Sequence, residues 1–475
     1  MTHKDIKRRT KIVCTIGPAS ITPEVLAGLM KEGMNVARIN FSHGSDRDHV
    51  AYIKRIREMA AQLNKTVAIM QDLPGPKDRI GRVKRGGILL TAGQAYSLTN
   101  TDVLGDGNRV SVDWADLPLK VKKGMPIFID DGTIKLEVIS TTKTEIKCRV
   151  ITGGRLLDHK GLNVPGLEIA SSITPEDIAH LELGMRHKVD FVAVSFISRA
   201  GDILAVKKIL DKYHSRAMLI AKIERQEALN NLDEIVEVTD GVMVARGDLG
   251  VEIPIEKVPV AQKTIIKKCN RAGKPVIVAT QMLESMVESP RPTRAEVTDV
   301  ANAIYDGADA VMMSEETAVG KYPLEAMKVM SNVAIEVEEV LPYEEIFLSQ
   351  GKDQYKATDD AISYSACHVA QQLDAKAIVA FTSSGSTARR VSKYRPEVPI
   401  LAITASPLTR KQLCLSWGVN AYRVHSAARV TDLFSQAVEV ARQSGLVKKD
   451  DLIVITGGIP VGVSGSTNML KVQRV

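Results

Sequence analysis

Met218-Leu-Ile-Ala-Lys-Ile-Glu224, followed at 241–250 by Gly-Val-Met-Val-Ala-Arg-Gly-Asp-Leu-Gly, decides the fold. Each segment is a short apolar run, rich in branched residues, that ends abruptly in charge. A strand buried on both faces reads as such a run, and helices must then cover it. The unit recurs along the chain, at Lys11–Gly17, Asn35–Asn40, Val67–Asp72, Phe191–Phe196, Met218–Ile223, Gly241–Ala245, Pro275–Thr280 and Ala310–Ser314. Between most of these runs lie roughly 10–30 residues with apolar positions at helical spacing, such as Val25, Leu26, Leu29 and Met30. The pattern predicts an α/β fold built on a TIM (β/α)8 barrel, with a doubly wound parallel sheet as the alternative.

The third gap breaks the rhythm. From Asp72 to about Ser171 the sequence turns strand-like, with turn signals at Gly105-Asp-Gly-Asn108, Asp130-Asp-Gly132 and Gly153-Gly154. Runs such as Lys135–Ile139 and Glu145–Val150 predict a small β-barrel cap inserted at the C-terminal end of the third strand. After Leu341 a new alternation begins. A helix over Ala357–Leu373 is followed by strands at Ala377–Phe381, Ile400–Thr404, Ala421–Val424 and Leu452–Thr456, the pattern of a C-terminal α/β domain. The expected division is 1–72 with 171–341 for the barrel, 73–170 for the cap and 342–475 for the C-terminal domain.

The 475 residues are 44% hydrophobic and 25% charged, an ordinary globular balance with ample material for large cores. Aromatics are only 4%, so aliphatic residues and methionines must fill those cores. The formal charge is +7, from 63 basic and 56 acidic residues, too mixed for a nucleic-acid footprint and suited to small anions. The polar, basic start is not a signal peptide, and no apolar run is long enough to span a membrane. Cys14, Cys148, Cys269, Cys367 and Cys414 are scattered without a CxxC pair, as buried free thiols of a reducing cytoplasm would be.

In a barrel of this kind chemistry sits where strands end. Polar residues gather there: Arg38 and Asn40, Asp72, Ser195, Lys222 and Glu224, Asp248, Thr280, and Ser314 to Thr317. So many polar groups converging on one mouth are hard to explain as packing. Glu224 and Asp248 offer oxygen ligands without histidine or thiolate, which favours a hard cation, Mg²⁺ or Mn²⁺. Arg38, Arg79, Lys160 and Lys222 could neutralise phosphate oxygens. Metal and cations together supply what phosphoryl transfer needs. No Walker A motif or kinase-type Gly-rich loop is present.

Several segments carry a resemblance over essentially the whole chain. They are Lys11-Ile-Val-Cys-Thr-Ile-Gly-Pro18, Asn35-Val-Ala-Arg-Ile-Asn-Phe-Ser-His-Gly44, Ala221-Lys-Ile-Glu224, Ala245-Arg-Gly-Asp-Leu-Gly-Val-Glu-Ile-Pro254, Ala279-Thr-Gln-Met-Leu-Glu-Ser-Met286 and Pro292-Thr-Arg-Ala-Glu296. With them the sequence resembles the pyruvate kinase family. The resemblance implies a cytoplasmic, homotetrameric glycolytic enzyme that moves the phosphoryl group of phosphoenolpyruvate onto ADP with Mg²⁺ or Mn²⁺. It implies that Glu224 and Asp248 hold the metal and that Lys222 stabilises the phosphoryl group in flight. Arg38 matches the phosphate-binding arginine. Thr280, aided by Ser314 and Glu316, matches the route that protonates the enolate. Ser195, Gly247 and Asp248 would frame the substrate carboxylate, and His43, Arg79 and Lys160 would contact nucleotide phosphates. A plain surface role for Lys160 stays open. So do a metal-dependent lyase or aldolase for pyruvate-like substrates and a homologue that has lost catalysis.

Asp78 and Glu315 depart from the family pattern and add negative charge near an anion site. Asn40, Ser42, Asp72 and the carbonyl of Leu73 match a monovalent-cation site, yet Leu73, Lys77 and Ile80 together resemble members that work without K⁺. In the C-terminal domain, Thr382, Ser383, Ser384, Gly385, Ser386 and Thr387 precede a helix expected from Ala388. Hydroxyls and amides at a helix start can cradle phosphate, although a simple cap reads the same way. The family uses this loop for phosphorylated allosteric effectors, with Thr456-Gly-Gly458 and Ser464-Gly-Ser-Thr467 resembling the facing loop.

Overall fold

The computed structural model describes residues 8–76, 78–167, 172–350, 357–425, 429–460 and 467–475. Lys11–Thr15, Val36–Asn40, Ala68–Asp72, Phe191–Val194, Met218–Ile223, Gly241–Ala245, Val276–Ala279 and Ala310–Met313 close into one barrel in chain order. Every neighbouring pair is parallel, and the last strand returns to the first. Closure removes the doubly wound alternative, because the sheet has no edge. Successive residues of each strand serve two cores. Val13, Val36, Met70, Phe191, Met243 and Met312 belong to one buried cluster, while Ile12, Cys14, Ala37, Ile39, Val192 and Val194 pack in another with the helices. Methionine takes a large share of the first cluster, as its flexible side chain suits irregular space.

The covering helices start where the sequence supplies caps. Ser45 and Asp48 form a reciprocal capping box at Asp46–Gln62, Thr174 and Asp177 at Pro175–Arg186, and Thr293 and Glu296 at Arg294–Tyr305. Each box satisfies amides that the first turn leaves without partners.

The insertion is a six-stranded sheet with a separate two-stranded ribbon. It has its own core, which includes Tyr96, Leu98, Ile127, Leu136 and Ile146. The sheet is an open, curled half-barrel rather than a closed one. The C-terminal sheet runs Val419–Arg423, Ile400–Thr404, Ala377–Phe381, Leu452–Gly458, Thr467–Arg474. Among the described residues no helix is long and apolar enough to cross a membrane. All five cysteines are free thiols.

The structure corrects the sequence reading at several ends. Phe196 and Thr280, expected inside strands, lie beyond them with φ of +54° and +67°. The chain leaves extended geometry there to turn polar groups into the mouth. The strand expected at Ala421 starts at Val419, paired with Ile400. The strand Thr467–Arg474 was not expected. It pairs antiparallel with Leu452–Gly458, so Thr456 to Gly458 are strand residues rather than a loop. The effector-loop helix begins at Ser386, so Ser386 and Thr387 are already helical. Lys77 and Ser464 to Ser466 lie outside the described residues.

Candidate active site

The second, third, fourth and fifth strands bring five polar side chains into contact. Arg38 donates from Nε to Asp72 Oδ2 at 2.6 Å and from Nη1 to Thr15 Oγ1 at 2.8 Å. Lys222 Nζ lies 3.2 Å from Asp72 Oδ1, 2.8 Å from Glu224 Oε1 and 2.7 Å from Ser195 Oγ. Ser195 in turn donates to the Leu73 carbonyl at 2.7 Å. Glu224 Oε2 accepts the Phe196 amide at 2.6 Å, a bond that the left-handed turn at Phe196 allows. Asp72 and Glu224 are each 1% exposed, so both carboxylates are shielded from bulk solvent.

Burial shapes the charges, and neighbours decide them. Burial alone would raise the Asp72 carboxyl, but Lys222 and Arg38 outweigh it and hold it below its ordinary value. Burial alone would lower the Lys222 ammonium, yet Asp72 and Glu224 push it above its ordinary value. Lys222 is therefore a fixed cation at any working pH. The Glu224 carboxyl is raised, by burial first and then by the charge of Asp248, against the pull of Lys222.

Asp248 sits half-buried in the first turn of Arg246–Glu252, and its charge is felt at Glu224. Burial is the main cause of the rise at Glu224 and the charge of Asp248 adds to it; a divalent cation between two such carboxylates would stabilise both as anions. Among the described residues no three His, Cys, Asp or Glu side chains form a metal cage. Two carboxylates would leave coordination positions for substrate and water, as a magnesium site requires.

The sixth, seventh and eighth strands carry the second group. Thr280 Oγ1 donates to the Ala279 carbonyl at 2.7 Å and accepts the Gly247 amide at 2.9 Å. Arg246 donates to the Thr280 carbonyl at 2.7 Å and pairs with Asp299 at 2.7 Å. It thus braces the strained residue from behind. Glu316 is fully buried, accepting the Leu283 amide at 3.0 Å and the Ser314 amide at 2.6 Å. Burial raises its carboxyl. The residues Thr15, Arg246 and Phe196 were not singled out from sequence. Arg246 stands inside the quoted Arg-Gly-Asp segment, but its partner Asp299 is distant in sequence.

Arg79, Lys160 and His43 find their partners away from this network. Arg79 Nη1 donates to the His159 carbonyl at 2.9 Å, and Lys160 pairs with Asp130 at 2.8 Å, both within the cap. An antiparallel bridge pairs Arg79 with Gly161, the residue after Lys160. His43 is exposed, with its carbonyl 2.9 Å from His49 Nε2. Asp78 carries less charge than its identity suggests. Burial, then Asp113 and Asp116, push its carboxyl up to about 7. Glu315 is exposed.

A cation fixed among buried acids, beside a pair of carboxylates suited to a divalent ion, matches the needs of a phosphoryl group in transit. Fold and site define a barrel phosphotransferase. The family description "Pyruvate kinase, barrel domain" matches residues 7–327, and "Pyruvate kinase, alpha/beta domain" matches 360–473. A pyruvate kinase of Geobacillus stearothermophilus is 48% identical over 474 residues, 99% of this chain and 81% of the relative. One from Staphylococcus haemolyticus is 48% identical over 474 residues, 98% of this chain and 80% of the relative. The crystal structure of a pyruvate kinase from Cryptosporidium parvum matches with a TM-score of 0.94 at 38% identity, covering 100% of this chain and 98% of that one. The chain belongs to the pyruvate kinase family. Its reaction transfers the phosphoryl group of phosphoenolpyruvate to ADP, giving pyruvate and ATP. The family generally uses Mg²⁺. The lyase or aldolase alternative and the non-catalytic alternative both fall away.

Proposed function

We propose that the two clusters divide the reaction. Arg38 and Lys222 take the phosphate oxygens, and Ser195 holds the Lys222 ammonium in place. Glu224 and Asp248 hold the magnesium, which would neutralise phosphate and carboxylate charge when bound. Thr280, with Ser314 and Glu316 behind it, lies on the proton route to the enolate. Gly247 and Asp248 frame the substrate carboxylate. His43, Arg79 and Lys160 receive the nucleotide phosphates, the latter two from the cap. The observation that carries this reading is the contact of Lys222 with Asp72, Glu224 and Ser195 at one point.

Activity without K⁺ is part of the proposal. Three of the four groups proposed to hold a monovalent ion, all but the Ser42 hydroxyl, already have protein partners. Asn40 Oδ1 accepts the Ser42 amide at 3.1 Å, the Leu73 carbonyl accepts Ser195, and both Asp72 oxygens face cations. The ammonium of Lys77 would repel a further cation. Two unit charges about 4 Å apart interact by roughly 4 kcal/mol at an effective dielectric near 20. A coupled assay with phosphoenolpyruvate, ADP and Mg²⁺ is expected to give full rates in sodium- and potassium-free buffer. Ionic strength is held with a tetraalkylammonium salt. A large, saturable gain specific to KCl would overturn this, and Lys77→Glu should move the enzyme toward K⁺ dependence.

The regulatory proposal rests on the loop before Ser386–Lys393. Gly385, at φ +88°, starts that helix, and its amide donates to Thr382 Oγ1 at 2.8 Å. Ser383 and Ser384 are exposed, whereas Thr387 is buried with its hydroxyl 2.7 Å from that of Thr467. Exposed hydroxyls at a helix start suit a sugar phosphate or a nucleoside monophosphate, acting through a homotetramer. Ser384→Asp places a carboxylate there and is expected to abolish activation by such effectors while basal rates persist. An unchanged effector response would remove the site. Thr387→Asp is the poorer variant, because it would disturb the buried contact with Thr467.

A further inference from the structure

We infer that His49 is a positioning residue for the loop that carries Asn40, Ser42 and His43, and so for nucleotide binding. The inference rests on the reading of His43 as a nucleotide contact. Residues 42–48 are exposed, and only Phe41 and His49, at the two ends of this stretch, are buried, at 3% and 2% exposure. Their rings stack with centroids 3.9 Å apart and planes 26° from parallel. His49 Nε2 lies 2.9 Å from the His43 carbonyl, so its N–H donates there. His49 Nδ1 is buried and, among the described residues, has no hydrogen-bond partner. A ring needed only for packing would place no polar atom on this loop. Here the hydrogen bond of a buried imidazole goes to the residue that must present its side chain outward.

The anchor is itself held from the cap side. His180 meets Phe41 edge-on at 5.1 Å and 69°. Its backbone carbonyl accepts the Gln71 side-chain amide at 2.6 Å, which ties it to the third strand. Three residues earlier on the same helix, Asp177 Oδ1 accepts the Gly75 amide at 3.1 Å. Gly75 lies where the chain leaves for the cap, and Thr174 and Asp177 lie where it has returned. The stack of His180, Phe41 and His49 therefore sets the His43 loop relative to both crossings into the cap, where Arg79 and Lys160 reside. Nucleotide contacts from barrel and cap share one fixed reference.

The test compares His49→Leu, which keeps apolar bulk but loses the donor, with His49→Gln, which restores an N–H. Loss of a hydrogen bond of this kind is expected to raise KM for ADP about tenfold. KM for phosphoenolpyruvate should stay within about twofold, since the Arg38 and Lys222 side chains are held by Thr15, Asp72, Ser195 and Glu224 rather than by residues 42–49. His49→Gln should recover most of the loss. Hydrogen exchange at residues 42–44 of the unliganded enzyme should quicken in His49→Leu and return in His49→Gln. This readout is independent of nucleotide. His43→Ala is the control for the underlying reading. If it leaves KM for ADP unchanged while exchange still responds to His49, the nucleotide role of His43 fails and the positioning stands. Unchanged exchange in His49→Leu overturns the positioning, as does an equal rise in both KM values that His49→Gln does not repair.

Discussion

Lys222→Met is expected to lower turnover by about 10²–10³ while metal-dependent binding of phosphoenolpyruvate persists. Lys222 is a fixed cation because Asp72 and Glu224 more than offset its burial. Ser195 aligns the ammonium from a third side at 2.7 Å. Such a group requires little rearrangement as charge builds on a migrating phosphoryl group, so its loss falls on kcat. On the proposed assignment Arg38 would still hold the substrate phosphate, and Glu224 and Asp248 would still hold magnesium. Steady-state kinetics with calorimetric titration of phosphoenolpyruvate in Mg²⁺ separate the two effects. Near-normal turnover would refute the assignment, and so would loss of binding with turnover per bound complex unchanged. Glu224→Gln and Asp248→Asn should instead raise the Mg²⁺ concentration needed for half-maximal rate.

Asp72→Asn should cost the fold about 3–5 kcal/mol, because it leaves two buried cations without their shared anion. Arg38 and Lys222 would face each other across a neutral amide, with side chains only 10% and 11% exposed. The pH dependence follows from the direction of the shift. The native Asp72 carboxyl titrates below its ordinary value of 3.8. A depressed carboxyl contributes stability that is fully present above its unfolded pKa and is lost as pH falls through the folded value. The gap between wild type and Asp72→Asn should therefore be widest near neutrality and narrow below about pH 4. Urea unfolding across that range measures it. A constant gap down to strongly acid pH would mean that the carboxylate charge is not what stabilises this network.

The barrel was legible because its strands are buried on both faces. Met218–Ile223 and Gly241–Ala245 read as apolar runs and occupy those bounds in the structure. Thr467–Arg474 was not legible. It is an edge strand, largely half-buried or exposed, with only Met469, Leu470 and Val472 apolar and no regular alternation to mark it. The polar strand ends gave the members of the site, but not their pairing. Asp72 looked like a cation ligand, and only the register of the second, third and fifth strands makes it the anion between Arg38 and Lys222. Thr15 carries one hydroxyl inside an ordinary apolar run, so nothing in sequence marks it as the partner of Arg38. The stack of Phe41, His49 and His180 draws on segments more than a hundred residues apart, with the whole cap between them.

Phe196, Thr280 and Gln281 all hold left-handed backbone, with φ of +54°, +67° and +53°. For residues that carry side chains this conformation costs of order 1–3 kcal/mol each. Glycine would adopt it without that penalty. Selection for heat resistance alone would therefore pull the less buried positions, Thr280 and Gln281, toward glycine, whereas burial of the Phe196 ring outweighs its strain. At Thr280 that drift would discard the hydroxyl that receives the Gly247 amide. A laboratory lineage bred only for endurance would be expected to grow hardier and slower together, with the trade concentrated in a few residues around the rim of the barrel.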